Sequence, residues 1–502
     1  MFTSSKQVKK MTKFDLAVIG SGPGGFAATM RAVDFGKNVC LIEAGHIGGT
    51  GIMNGPLTSK TMWELSVDYS IAAAVDRGYR ASGLQVDYNL VKKTVIAAAK
   101  TKQYQMLSQI ESFSTKSSDA GTITYKRGFA RFLDRNTLQI EGENGIEIIE
   151  AEYIIIATGS RPRELPELPV DQKQIFDSDG LLNLDRFPER MMILGSGIIG
   201  CEFAAIFSNF RQTEVHLLDR THRVIPFEDD DVSDFVSDNL EKNGVIIHHT
   251  ATMRTVRKEK DHLEVVLDYD DGHSQVVEVD ILLVSIGRDA NTVGLGLENV
   301  AIQPNVKGYL HINEECAIGD FQKCNIFAAG DVTGQKALYG VAEEQGRFIV
   351  EAIFGASTYR LDYSYMPTLM FFKPELASVG ANEKSLRDKK IPYKAVYYSN
   401  ELVNRAIAMR STKGFVKIIV SNDGSEKILG MRAAGPQASA FIVSIAYLIN
   451  SDIRLHEVLQ SIHPHPSVTE GIQECIRIFY NQSIYKPKAF PSLIKVTEWK
   501  PE

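Results

Sequence analysis

One arrangement of residues occurs twice in this chain and constrains its fold more than any other feature. Phe14 to Ile19 reads F-D-L-A-V-I, a buried strand. It runs into G-S-G-P-G-G at Gly20–Gly25, then into a helix of small residues containing Ala27 and Ala28. A second strand, Asn38 to Ile42, ends at Glu43. The same order returns with the strand Met191 to Leu194, Gly195, Gly197 and Gly200 in G-S-G-I-I-G, and a helix through Cys201 to Phe207. The strand Glu214 to Leu218 follows and ends at Asp219.

Each glycine in such a unit has its own task. Gly20 permits the tight turn, Gly22 lets the backbone approach a pyrophosphate, and Gly25 lets helix and strand pack closely. Free N–H groups and the dipole at the helix N-terminus attract the pyrophosphate. Glu43 is placed to accept hydrogen bonds from a ribose hydroxyl, and Asp219 holds that position in the second copy. One G-x-G-x-x-G is weak evidence for a nucleotide site; two copies in full context are strong. The expected class is α/β, with two Rossmann-like dinucleotide-binding domains and a C-terminal α+β domain.

Other segments fit the same scheme. Ile154–Ser160, Ile281–Arg288 and Asn325–Asp331 each read as a strand ending in a small-residue turn, and the last presents the carboxylate of Asp331. The proline-rich stretch Pro162–Pro169 reads as a linker. Beyond Tyr363, strand-like runs (Gly414–Val420, Ile428–Ala433) precede a helical run, Ala440–Ile449, with no third glycine fingerprint. The acidic run Glu228–Asp231 could be a metal site, but a charged first helical turn after Pro226 is the favoured reading, since acids stabilise helix N-termini.

Composition excludes several classes of partner. The net charge is −7, with 55 basic and 62 acidic side chains, so there is no broad basic footprint for nucleic acid. No apolar run reaches the ~18–20 residues of a membrane helix. Residues 1–13 are polar, carry Lys6, Lys9, Lys10 and Lys13, and read as a disordered tail rather than a secretory signal. The five cysteines, Cys40, Cys201, Cys316, Cys324 and Cys475, form no close pair. Buried free thiols in a reducing, cytoplasmic setting are expected.

The motifs as a set resemble the pyridine nucleotide-disulfide oxidoreductases, and among them the dihydrolipoamide dehydrogenases. They are G-S-G-P-G-G, A-T-G-S-R-P, G-S-G-I-I-G-C-E, G-R-D-A-N, A-A-G-D, K-P-E-L-A-S-V-G from Lys373, and H-P-H-P-S-V-T-E from His463 to Glu470. The resemblance implies an FAD-binding domain at 14–162 and 290–360, a NAD(P)-binding domain at 163–289, and a dimerisation domain at 361–502. It implies FAD contacts from Gly20, Gly22, Gly25, Glu43, Gly49, Thr50, Lys60, Thr158, Gly159, Gly330 and Asp331. Gly195, Gly197, Gly200, Asp219 and Gly287 would bind NAD(H). Asp219 would repel a 2′-phosphate, although Arg220 and Arg223 nearby leave NADP(H) open. Lys60 matches the family lysine beside the flavin, and Glu202 matches the glutamate that pairs with it. His465 and Glu470 match the acid–base dyad that reaches into the partner subunit of a homodimer. A zinc role for His463 and His465 is the weaker reading, and no metal site is expected.

The departure from the family matters as much as the match. The family carries G-G-T-C-L-N-V-G-C-I-P-S-K beside the flavin. This chain reads G-G-T-G-I-M-N-G-P-L-T-S-K from Gly48 to Lys60, with Gly51 and Pro56 where the two cysteines belong. A disulfide relay needs one thiolate to take electrons and a second sulfur to exchange with substrate. Glycine and proline can do neither. Gly340 also departs, standing where the family often has a histidine. The expected activity is electron transfer from NADH through FAD to a small non-dithiol acceptor, such as a quinone or a second nicotinamide, without lipoamide activity. The alternative is an inert FAD-binding dimer with a binding or regulatory role.

Overall fold

In the computed structural model, which describes residues 11–115, 120–355 and 359–501, three sheets carry three units. The strand Thr12–Ile19 is the centre of the first. It pairs in parallel with Asn38–Glu43 on one side and with Gly145–Ile156 on the other. Thr122–Arg127 extends the sheet beyond Asn38–Glu43, and Ile326–Ala328 joins Gly145–Ile156 from much later in the chain. The other parallel strands are therefore added on opposite sides of Thr12–Ile19. A crevice forms outside the carboxyl ends of strands where the order reverses in this way, and dinucleotides bind there.

The strand Thr12–Ile19 starts inside the stretch read as tail. Thr12 and Lys13 pair with Ile149 and Glu150, and the Lys13 ammonium lies 2.8 Å from the Glu150 carboxylate. Residues 1–10, the remainder of that stretch, lie outside the described residues. Leu16, Ala17 and Val18 are fully buried. That explains the unbroken apolar run: a parallel strand covered on both faces does not alternate.

The second sheet has five parallel strands, in the order Ile246–His248, Glu214–Leu218, Arg190–Leu194, Ile281–Val284, Ile175–Asp177. Three antiparallel strands, Ala251–Lys258, Leu263–Tyr269 and Ser274–Val279, pack their apolar face with it into one core. The third unit is a six-stranded sheet running from Thr368–Met370 to Ile494–Trp499. Helices Ala438–Asn450 and Glu470–Phe479 pack on it. Two long helices, Pro56–Ala72 and Tyr88–Ser112, bind the first unit to the second. Trp63, Val91 and Val95 share a core with Phe203, Phe207 and Met191. No helix among the described residues is long and apolar enough to cross a membrane.

Candidate functional site

Both glycine turns open onto one cavity of about 1880 Å³ that also takes in Thr158, Gly159, Lys60, Glu202, Asp219 and Asp331. Ligand pockets usually run to ~300–1,000 Å³, so this one has room for two dinucleotides. Helix Pro23–Asp34 begins here, and its N-cap, Gly22, supplies no capping side chain. Its N–H groups are therefore free for an anion. A Cβ on Gly20, whose φ is +101°, would lie 2.3 Å from the Ala157 carbonyl oxygen. A Cβ on Gly22 would meet nothing within 4 Å. The turn thus needs one glycine for its own packing and leaves the other facing open space. Gly195 and Gly197 repeat the pattern.

The two terminal acids are held alike. Glu43 accepts from the Ser21 N–H at 2.7 Å, the Ser21 hydroxyl at 2.6 Å and the Gly45 N–H at 2.7 Å. Asp219 accepts through Oδ1 from the Ser196 hydroxyl at 2.7 Å and from the Thr221 N–H and hydroxyl at 3.0 and 2.9 Å. Its Oδ2 lies 3.4 Å from His249 Nδ1. Burial pushes the Asp219 carboxyl up, but His249, Thr221 and Ser196 outweigh it and hold the group below the usual range. His249 moves the other way, raised chiefly by its contact with Asp219. The sequence gives no sign of His249, because it arrives from the turn that follows the strand Ile246–His248. Arg223, by contrast, is tied up by Asp234 at 2.7 Å.

On the opposite side of the first turn, Asp331 lies in the short 3₁₀ turn Gly330–Thr333 rather than at a strand end. It accepts from the Ser160 hydroxyl at 2.6 Å, and Ser160 is oriented by Arg288 at 2.8 Å. Thr158 contributes a buried hydroxyl without a hydrogen-bond partner, and Gly159 faces open space. A free helix start, a bare Gly22 and an unpartnered buried hydroxyl fit a dinucleotide such as FAD. Gly49 and Thr50 lie in the short helix Gly49–Ile52, and Gly287 ends the turn after Ile281–Val284; all three line the cavity.

Lys60 and Glu202 meet in the cavity wall. The ammonium lies 2.7 Å from Glu202 Oε2, while Oε1 accepts from the Phe371 N–H at 3.0 Å. The Phe371 ring lies beneath the ammonium, 4.9 Å from its centroid. Gly51 and Pro56 also line the cavity. All five cysteines are free and buried. His465 and Glu470 are paired at 2.7 Å, but they are not in this wall. Glu470 is pushed up by burial and pulled down further by His465 and the Ser467 N–H, so it stays a carboxylate. The His465 side chain is 64% exposed.

Residues 14–346 match the pyridine nucleotide-disulphide oxidoreductase family. The chain belongs to that family. Residues 366–476 match its dimerisation domain. FAD and NAD(P)H are the cofactors of this family, and both glycine turns open on the cavity. The chain is 30% identical over 480 residues to a dihydrolipoyl dehydrogenase of Chlamydia muridarum, a match spanning 94% of this chain and 98% of that one. It is 29% identical to the Geobacillus stearothermophilus dihydrolipoyl dehydrogenase, over 93% of this chain and 96% of that one. Among solved structures, LpdA from Mycobacterium tuberculosis shares the fold, with a TM-score of 0.84 at 24% identity over 93% of this chain and all of that one. The HOCl-induced flavoprotein disulfide reductase RclA from Escherichia coli, solved as a Cu(II) complex, superposes with a TM-score of 0.80 at 25% identity over the same shares.

Proposed function

We propose that this member of the family is an NAD(P)H-dependent oxidoreductase that reduces a small non-dithiol acceptor, a quinone or a second nicotinamide, and not a lipoamide. The observation that carries this reading is the cavity wall itself. It keeps the Lys60–Glu202 pair and has glycine and proline at the positions of the two family thiols. Bound FAD would supply the hydride acceptance and two-electron delivery that no side chain here can perform. With a quinone the balance is NAD(P)H, one proton and quinone giving NAD(P)⁺ and quinol; a second nicotinamide instead takes the hydride alone, with no net proton.

The protein's part is binding, charge and proton transfer. Gly20, Gly22, Gly25, Glu43, Thr158, Gly159 and Asp331 would hold FAD; Gly195, Gly197, Gly200, Asp219 and Gly287 would hold the nicotinamide nucleotide. Glu202, fixed by the Phe371 N–H, keeps the Lys60 ammonium in the wall. His465 gives Nδ1 to Glu470 and keeps Nε2 free to move a proton. Its exposure, and its place away from the cavity of its own subunit, favour a homodimer in which it completes the partner's site. The buried free thiols suit a cytoplasmic setting.

The test is anaerobic mixing of the FAD-loaded protein with NADH. The yellow colour should bleach and then return on adding benzoquinone but not lipoamide. Failure to bleach at any nucleotide concentration would favour the inert binding dimer instead. Steady dihydrolipoamide turnover would refute the reading outright.

A further inference from the structure

The room left by the first missing thiol has been filled from another element. A Cβ on Gly51 would lie 3.0 Å from Cε2 and 3.1 Å from Cδ2 of Tyr339, and 3.0 Å from Cγ of Pro23. Contacts that short require the neighbours to give way. Tyr339 therefore stands against position 51 where a side chain would begin. It opens the helix Tyr339–Phe354 and packs, half-buried, on the same core as Met53 and Leu361. All three line the cavity. The next residue is Gly340, where a Cβ would meet nothing within 4 Å. An aromatic ring thus borders open space on the side of the cavity that the thiol would have occupied. The Tyr339 hydroxyl has no hydrogen-bond partner among the described residues. Burial raises the phenol above its ordinary pKa, so it remains a donor at neutral pH.

We propose that Tyr339 defines the acceptor site, its ring replacing the thiol as the wall and its phenol donating to the carbonyl oxygen of a planar quinone. This rests on the reading that electrons leave to a non-dithiol acceptor, and it chooses between the two acceptor classes. A quinone is flat, offers a π-face to stack on the ring and a carbonyl to accept from the phenol. A second nicotinamide dinucleotide would also bring a pyrophosphate, but Arg347, which acts on the Tyr339 phenol, and Arg360, which lines the cavity beside Leu361, are already paired with Glu344 at 2.6 Å and Glu314 at 2.7 Å. The reaction balances as NADH, one proton and quinone giving NAD⁺ and quinol. The quinone gains two electrons and two protons, and the nicotinamide loses a hydride.

Two measurements test this, one of them independent of turnover. The first is a thermal-stability cycle on the FAD-loaded dimer with G51A, Y339A and G51A/Y339A. Gly51 lies in a short helix at an ordinary φ, where alanine by itself is the better helix former. G51A should lower the melting temperature clearly when Tyr339 is present and much less when residue 339 is alanine, because the Pro23 contact remains in both backgrounds. Equal effects in the two backgrounds would overturn the packing claim. The second is steady-state kinetics with benzoquinone at saturating NADH, alongside anaerobic bleaching by NADH. Y339A should raise the benzoquinone KM roughly tenfold, the worth of an aromatic stacking contact. Y339F, which keeps the ring, should raise it about threefold through loss of the hydrogen bond. Bleaching should change much less than the KM. An unchanged KM in Y339A, or bleaching that falls in parallel with it, would overturn the role given to Tyr339. A parent protein that bleaches but reduces no benzoquinone would overturn it too and leave the wider reading standing. A parent that never bleaches would sink the wider reading, while the stability cycle would still show where the ring sits.

Discussion

Glu202 is held at both carboxylate oxygens, one by the Lys60 ammonium and the other by the Phe371 N–H. It is also nearly buried, so Lys60 is the cation that offsets its charge. Replacing Lys60 by Met or Glu202 by Gln removes a charge-assisted bond worth about 1.5–3 kcal/mol. If the pair positions the reacting groups, bleaching by NADH should slow by roughly 10- to 100-fold, read by stopped-flow absorbance. Asp219 and His249 make a second residue-scale case. His249 is raised above its ordinary 6.5, first by Asp219. Below the raised value the imidazolium offsets the Asp219 charge; above it, that charge faces a 2′-phosphate alone. The ratio of kcat/KM for NADPH to that for NADH should therefore fall as pH rises through the His249 titration. H249A should flatten the dependence. The stability that the pair contributes has the same sign: it is complete below about 6.5, the unfolded value, and is lost as pH rises through the folded one. Its neighbour His248 behaves oppositely. Burial lowers it to about 4, so its contribution is present above the unfolded value and is lost as pH falls toward 4.

At the scale of elements, the acidic run shows what the sequence could and could not reveal. Asp230 and Asp231 lie in the first turn of the helix Asp230–Lys242, as the charge pattern suggests. The rest of the run has another task. Asp229, Asp231 and Glu383 converge on the Lys417 ammonium at 2.9, 2.8 and 2.5 Å, and Glu228 meets Arg432 at 2.9 Å. The carboxylates gather around an ammonium from the third unit, which takes the place a cation would need. These partners lie 186 to 204 residues away in sequence, and no local pattern encodes such a pairing. The glycine turns were legible because strand, turn, helix and acid follow one another within a single unit. His249 and Tyr339 were not, since each reaches the site from a different element. Lys417 is almost fully buried, and its removal leaves three carboxylates facing one another. Lys417→Met should therefore cost about 3–5 kcal/mol, measured by denaturant unfolding of the FAD-loaded protein. Burial raises Asp229, but Lys417 outweighs it and leaves the carboxyl below its usual range. The contribution of this pair is thus present above the ordinary carboxylate range and disappears as pH falls through the depressed value.

Across the whole molecule, the site is divided between what one chain contains and what it lacks. His465 and Glu470 lie on the third unit, away from the cavity. If they complete the partner's site, H465A should slow quinol formation while leaving bleaching by NADH largely intact, and a mixed dimer with one H465A chain should keep about half the turnover. The other division concerns electrons. In a relay, a thiol pair stores one electron pair in addition to the one stored by the cofactor, so the reduced enzyme holds two. Cys40 lies in the central sheet of the first unit, Cys201 in the helix of the second, and Cys475 under the third sheet. Cys316 and Cys324 belong to the first core. None lines the cavity, and burial pushes the thiols of Cys40 and Cys316 up to about 12, where thiolate is scarce at neutral pH. An anaerobic reductive titration should therefore end at one electron pair per FAD. An endpoint of two would mean that two of these thiols can leave the core and reach the cofactor. Restoring sulfur by G51C/P56C should not recover the second pair while Tyr339 stands against position 51. Adding Y339A to those two changes should recover it, because the sulfur then has both its partner and its space.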